Sequence, residues 1–413
     1  MSAPPTMADV GCDPRDPRFR DDPHPAFDAL RARGPIARVA DPDFWVVTGY
    51  EHVRLLLHDA RVDAERVEPA PRGGSARNGP SLMQARDEAA LLFVTWLHNR
   101  APADHERLRS LLRPTFSRTR VAARRERIQK LTDEVLDRAL QQGRLDVVTE
   151  LGRPLAQTIA ADVVGLPEPM RAECDALTPH FTHRLSFGGQ GPRERGVLSM
   201  MALAARLRAL IAAWSAQPPA GDGVLWTLEQ ARERGAATEE EVISHGAMLL
   251  FAAYITTQYL ISNGVLALLR NPDQWDLLRH KPQLIGTAVD ELLRYVSPTM
   301  AVPRVALEDL ELESERVRRG DALLLVLAAA NRDPAVFAEP NRLDIRRSPN
   351  PHLALGRGRH YCLGAGLARL EAEVAIGTVV RRMPPPRLEA DAVEWEEFFL
   401  VRGLRSLPIL VEP

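Results

Sequence analysis

Cysteine is scarce in this chain: Cys12, Cys174 and Cys362 are the only three in 413 residues. Thiols so far apart match neither a zinc-finger spacing nor a disulfide framework, which excludes a cysteine-stapled secreted scaffold and fits a reducing compartment. A surplus of one charge is missing too. Lys and Arg number 53 against 55 Asp and Glu, a net charge of -2, so nucleic acid is not the default partner. No Gly/Ser linker, low-complexity tract or internal repeat divides the sequence. Length alone would allow two or three domains, but nothing marks a cut, and 45% hydrophobic residues suffice for one large core. The start, Met-Ser-Ala-Pro-Pro-Thr-Met-Ala-Asp, has neither the basic flank nor the apolar run of a signal or anchor. The expectation is a soluble, cytoplasmic protein without a membrane partner, with residues 1–20 as a tail and 21–413 as a single domain.

Local signals then place the elements. The stretch from Asp21 to Phe27 leads into a short helix that Gly34-Pro35 ends. Ile36–Val39 and Trp45–Thr48, joined through Asp41-Pro42-Asp43, predict a hairpin, and Glu51 to His58 a helix. Arg66 to Ser81, rich in Pro, Gly, Arg and Ser, predicts a long irregular loop. His105 and Arg109 lie four apart and so share a helix face; as surface residues they need no special explanation. A basic run follows over 117–127, ordinarily a solvated face. Residues 167–214 predict helix at both ends, broken by turn signals from Leu185 to Pro192; Cys174 within them has no partner pattern.

The longest element is announced by the capping box Thr238-x-x-Glu241 and ended by Asn271-Pro272. Between Glu241 and Arg270 there is no Asp, Glu, Lys or Arg. About 30 residues of helix span roughly 45 Å, enough to cross a membrane. The run carries His245, Thr256, Thr257, Gln258, Ser262 and Asn263 and reads as the sole candidate span, so a buried central rod, apolar all round, is the expectation. Beyond it, Glu291 and Arg294 stand three apart on one helix face, by themselves an ordinary weak ion pair.

Late in the chain glycines crowd around a cysteine: Gly356 and Gly358 before Cys362, Gly364 after it. Such glycines let backbone take positive φ and approach a flat ligand. Leu363, Leu367, Leu370 and Val374 then recur at helical spacing, so the cysteine is expected to open a helix, where free N–H groups and the dipole favour a thiolate. A lone cysteine is ordinarily a small buried hydrophobe; the surroundings argue for a sulfur ligand.

The run Leu355-Gly-Arg-Gly-Arg-His-Tyr-Cys362-Leu-Gly364 resembles the haem-binding loop of the cytochrome P-450 family, commonly Phe-Gly-x-Gly-x-His-x-Cys-x-Gly. Leu355 departs from it, standing where the family has a Phe beside the sulfur, and Gly366 stands where bacterial members often carry Pro. The resemblance implies a mainly α fold with a small β region, a single large haem domain over 21–413. It implies haem b with Cys362 as axial ligand and Leu355, Gly356 and Gly364 in its cradle. By the same resemblance His105, Arg109, Arg304 and His352 would hold the propionates. Ala252-Ala-Tyr-Ile-Thr256-Thr257 matches the family's Ala-Gly-x-(Asp/Glu)-Thr-Thr, whose acid and first threonine relay protons for oxygen activation. Thr256 is kept and Ile255 takes the acid's place; the plain alternative for Thr256 is a hydrogen bond to the carbonyl one turn earlier. Glu291 and Arg294 match the family's buried Glu-x-x-Arg network. Glu396 to Gly403 resembles the hairpin tip that touches substrate, 66–81 a part of the substrate pocket, and 185–192 a lid.

The implied activity is oxidation of a small organic molecule, a secondary-metabolite intermediate, with O₂ and electrons from ferredoxin and a ferredoxin reductase fed by NAD(P)H. The basic run would then serve as a docking patch for the acidic ferredoxin. Two alternatives stay open: oxidative phenolic or aryl coupling, suggested by the missing acid, and a haem-binding sensor or docking module that does not turn over.

Overall fold

A computed structural model describes residues 4–40, 43–64, 91–93, 95–184, 190–214, 216, 218–219, 221–390 and 392–411. The loop expected over 66–81, the turn residues Asp41 and Pro42, and 185–189 of the expected break lie outside these. Along the chain run α1 (His24–Arg33), β1 (Ile36–Val39), β2 (Phe44–Val47), α2 (Tyr50–Leu56), β3 (Val62–Asp63), α3 (Pro102–Leu112), α4 (Arg125–Gln142), α5 (Val224–Glu233), α6 (Glu239–Leu269), α7 (Ile285–Val296), β4 (Val302–Ala306), β5 (Ala322–Leu325) and α8 (Ala365–Arg382), with further helices between them, among them Arg153–Val164 and Gln190–Trp214, and with short strands and turns. The fold is the mainly helical one with a small β region that the sequence implies. It falls into two compact units, one of residues 1–63, 118–156 and 256–413, the other of 64–117 and 157–255.

In the first unit Gly34, at φ 148°, ends α1 and turns the chain into β1. That strand pairs antiparallel with β2, Ile36 opposite Val47, forming the expected hairpin. The sheet runs β1-β2-β5-β4-β3, and β2 lies parallel to β5. Trp45, Val47, Leu323 and Leu325 pack with Tyr50, Val53 and Phe337 into one core cluster. The N-terminal stretch packs as well: Met7, Val10 and Cys12 are buried with Phe19, Phe27 and Phe399. Gly264 of α6 has no room for a side chain, since a Cβ there would come within 2.9 Å of Ile376 and 3.3 Å of Leu292. Helices α6, α7 and α8 thus meet at close range.

In the second unit Gly165, at φ 88°, sits so close to Gly223 that a Cβ on Gly223 would lie 2.6 Å from its Cα. The expected capping box is present: the Thr238 N–H donates to Glu241 Oε2 at 3.0 Å and the Glu241 N–H to Thr238 Oγ1 at 3.2 Å. Glu241 also takes hydrogen bonds from Arg107 and Arg100, which fastens α3 to the start of α6. The helix after the expected break already begins at Gln190, two residues before Pro192.

Helix α6 is long and apolar enough to cross a membrane, yet 83% of its apolar window is buried inside the protein. Its polar side chains find internal partners: Ser244 donates to the Leu92 carbonyl, Ser262 to that of Gln258 and Asn263 to that of Arg402. The expectation of a sole candidate span is corrected, because Arg193–Trp214 passes the same test of length and composition with 39% of its window buried. Leucine, alanine and methionine dominate that helix as well, but arginines at 206 and 208 hide the pattern from a search for uncharged runs.

Candidate functional site

The cysteine loop is set by two backbone conformations. Gly356 and Gly358 have φ of 68° and 67°, and a Cβ on Gly358 would lie 2.5 Å from the Leu57 carbonyl; no other residue type fits there. The loop closes on itself when the Cys362 N–H donates to the Leu355 carbonyl at 2.9 Å. Helix α8 begins at Ala365 with Gly364 as its cap, so the expectation that Cys362 opens the helix is corrected by three residues. The Cys362 carbonyl accepts from the Ala365 N–H at 3.3 Å, which puts the thiol just outside the first turn. Cys362 is half-buried, whereas Cys12 and Cys174 are sealed. Burial pushes the Cys12 thiol up to about 12 and the Cys174 thiol to about 11, so neither supplies a thiolate near neutrality.

A buried acid pins the loop. Asp63, at the end of β3 and 1% exposed, accepts from Arg359 Nη1 at 2.7 Å and stands 2.9 Å from His360 Nε2. Beside it on β4, Arg304 is 6% exposed and donates from Nη1 to the Pro303 carbonyl at 2.8 Å. Among the described residues it has no carboxylate partner, and burial pushes its pKa down to about 10 against the pull of Asp63. A buried guanidinium in that state calls for an acid from outside the chain. His352 adds a second demand: its Nε2 lies 3.4 Å from Asp290 Oδ1, and its Nδ1 is buried without a partner among the described residues. A flat cofactor with two carboxylates and an iron that takes a thiolate answers all three features, so the residues fit haem.

Glu291 and Arg294 lie wholly buried on α7. Arg294 donates from Nε to Glu291 Oε2 at 2.7 Å and from Nη2 to Oε1 at 2.8 Å, and its remaining donors reach the carbonyls of Asn331, Pro340 and Arg342. Glu291 also takes Arg347 Nε, Asn350 Nδ2 and the Asp344 N–H. Every lone pair and proton of this pair is used, the condition under which a buried ion pair is sustained.

On α6, Ala252 is exposed and Ala253 and Thr256 are half-buried, although the residues around them are buried. Ala252 and Thr256, four residues apart, share one face and leave it accessible. Ile255, in the acid's place, is 4% exposed and points elsewhere in the helix register. His245, in line with Ala252 seven residues on, is fully buried; its Nδ1 lies 2.7 Å from the Glu241 carbonyl. A carbonyl only accepts, so Nδ1 carries the proton, and burial pushes the ring's pKa down to about 4. On α3, His105 is buried and Arg109 half-buried.

The hairpin expected near the C-terminus is present: the Glu396 N–H donates to the Gly403 carbonyl at 2.9 Å, and a Cβ on Gly403 would overlap the Tyr259 ring at 1.8 Å. The structure thus groups the Cys362 loop and Arg304 in the first unit, joined through Asp63; His352 and Thr256 belong to that unit, and Ala252, Ile255, His105 and Arg109 to the second. Asp63, Arg347 and Asn350 were not singled out from the sequence. Their partners lie far along the chain, and no local spacing marks them.

The family model for cytochrome P450 matches residues 217–384. The biotin biosynthesis cytochrome P450 of Bacillus subtilis is 35% identical over 398 residues, covering 95% of this chain and 97% of that protein. Cytochrome P450 monooxygenase PikC of Streptomyces venezuelae is 35% identical over 421 residues, 99% and 95% of the two chains. The 6-deoxyerythronolide B hydroxylase of Saccharopolyspora erythraea is 31% identical, with 95% and 97% covered. Among solved structures, P450BioI in complex with hexadec-9Z-enoic acid ligated acyl carrier protein superposes with a TM-score of 0.88 at 33% identity, covering 96% of this chain and 100% of that one.

Proposed function

The chain belongs to the cytochrome P450 family, as a haem-thiolate monooxygenase, and from that premise we propose that Cys362 ligates the iron and that the substrate is a small secondary-metabolite intermediate. The observation that carries the assignment is the half-buried Cys362 in a loop that only glycine can form, beside a buried Arg304 that has no carboxylate partner among the described residues. Bound haem supplies reductive activation of dioxygen, which thiolate ligation favours. The chain's residues do the rest. Arg304, His352, His105 and Arg109 hold the two propionates, since forked guanidinium donors match carboxylates. Leu355, Gly356 and Gly364 form the cradle, and the Glu291–Arg294 network behind it keeps the loop rigid.

Ala252 and Thr256 present the accessible face of α6 to the substrate, and the Thr256 hydroxyl donates a hydrogen bond there. Ile255 can hold no proton, so the proton supply comes from water or from a polar group of the substrate itself. The same gap supports a second reading, oxidative phenolic or aryl coupling, in which the substrate's own hydroxyl is the proton donor. Electrons come from a ferredoxin and its NAD(P)H-dependent reductase in the cytoplasm, and the names of the relatives, 6-deoxyerythronolide B hydroxylase among them, support a secondary-metabolic role.

The test is twofold. Ligands that shift the spin state of the ferric protein identify the substrate class. Multiple turnovers with surrogate ferredoxin, reductase and NADH then give a product whose structure separates hydroxylation from coupling. Spectral binding without any turnover would make the protein a sensor or docking module instead.

A further inference from the structure

Away from the cysteine loop, the far end of α8 borders a cavity of about 160 Å³. Counted along the helix, its lining begins about 14 Å beyond Gly364 and ends about 26 Å beyond it, at 1.5 Å per residue. Its charged lining is uneven: Arg125, Arg279 and Arg381 against the single acid Glu373. Arg125 reaches Glu373 through one contact, Nη2 to Oε2 at 3.2 Å. Arg381 donates from Nη2 to Thr378 Oγ1 at 3.2 Å, and Thr378 also takes the Gln129 amide at 3.1 Å. Among the described residues neither Arg279 nor Arg381 has a carboxylate partner, so the cavity holds a surplus of two positive charges.

We propose that this cavity is a phosphate-binding site, taking a phosphate group that is free or carried on a larger molecule. Three guanidinium forks can each offer paired N–H donors to tetrahedral oxygens. The surplus of two charges matches a phosphate dianion. Leu278, Ile285 and Val374 line the same cavity, which leaves an apolar floor for an organic group attached to the phosphate. A purely solvated arginine face would have no such concavity and no such floor.

Calorimetric titration of the haem-loaded protein, at constant ionic strength, tests the site with inorganic phosphate and with phenyl phosphate. Saturable one-to-one binding is expected. The double variant Arg279→Ala/Arg381→Ala should weaken it about tenfold or more, as two charge-assisted contacts are lost. Glu373→Gln should move it the other way, roughly three- to tenfold tighter, because a like charge is removed. Tighter binding of phenyl phosphate assigns the site to an organic phosphate, and equal binding to the free anion. Absence of saturable binding, or binding that neither variant moves, overturns the proposal. The opposite sign of the two variants guards against a loss caused by misfolding, and both should leave the spectrum of the bound haem unchanged.

Discussion

Ile255 is the residue whose consequence is easiest to measure. It is buried, apolar and next to Thr256, and the neighbouring candidates for proton delivery are weak. His245 is excluded as a donor, because its one proton is already given to the Glu241 carbonyl and the ring stays neutral down to about pH 4. Turnover should therefore couple well to NADH consumption only for substrates with a hydroxyl, amide or carboxylate near the reacting centre. Apolar analogues of the same shape should release hydrogen peroxide, and Ile255→Glu should rescue their coupling more than that of the native substrate. Efficient coupling of the unaltered protein on a hydrocarbon analogue would instead assign the protons to an ordered water chain.

The same His245 makes stability depend on pH. Its folded pKa of about 4 lies below the unfolded value near 6.5, so below pH 6.5 the unfolded chain takes a proton that the folded one refuses. Stability then falls as pH drops from 6.5 to 4, by roughly 2–3 kcal/mol for this group, and levels off below. Denaturant melts of the protein and of His245→Gln at pH 7.5, 6 and 5 should differ most at pH 5, with the variant losing less. Parallel loss in both would show that His245 does not titrate in this way.

At the scale of elements, the Cys362 loop, the hairpin of β1 and β2 and the helix α6 were legible because their signals are local. Glycines at fixed offsets, a turn between two β-branched runs and a capping box before an uncharged stretch all sit within a few residues of one another. Asp63 was not legible: its partners Arg359 and His360 stand 296 and 297 positions away, and no periodicity connects them. Arg347 escaped for the same reason, lying 56 positions from Glu291. The start of α8 was misplaced because Leu363 fits the helical spacing, yet the chain is still in a turn there.

The Glu291 network carries its own prediction. Glu291→Gln leaves Arg294 fully buried with its charge uncompensated, which should cost about 3–5 kcal/mol of stability, read as a lower melting midpoint and poor haem retention. Exposed pairs such as Arg316–Asp309 should change stability by less than about 1 kcal/mol on the same kind of substitution. Equal effects at both places would contradict the network's role.

For the whole molecule the charge is nearly balanced at -2, so any steering of a redox partner must come from local asymmetry. The basic run provides it: Val121 of this stretch lies 4.0 Å from where a Cβ on Gly366 would be, which sets the run beside the start of α8. Arg359 of the loop is tied to Asp63, and Arg125 to Glu373, which leaves Arg118 and Arg124 as the better candidates for docking. Reduction by an acidic ferredoxin should slow as salt rises, since screening shortens the steering range to about 8 Å near physiological ionic strength. Arg124→Glu should slow it without altering the ferric spectrum, and a salt-independent rate would place docking elsewhere.

Cys362 as the iron ligand underlies the predictions on turnover and reduction, and the spectrum of the reduced, CO-bound protein tests it most directly. The protein and its Cys12→Ser and Cys174→Ser variants should show the red-shifted Soret band of thiolate ligation, and Cys362→His should lack it. An unchanged band in Cys362→His would contradict the assignment.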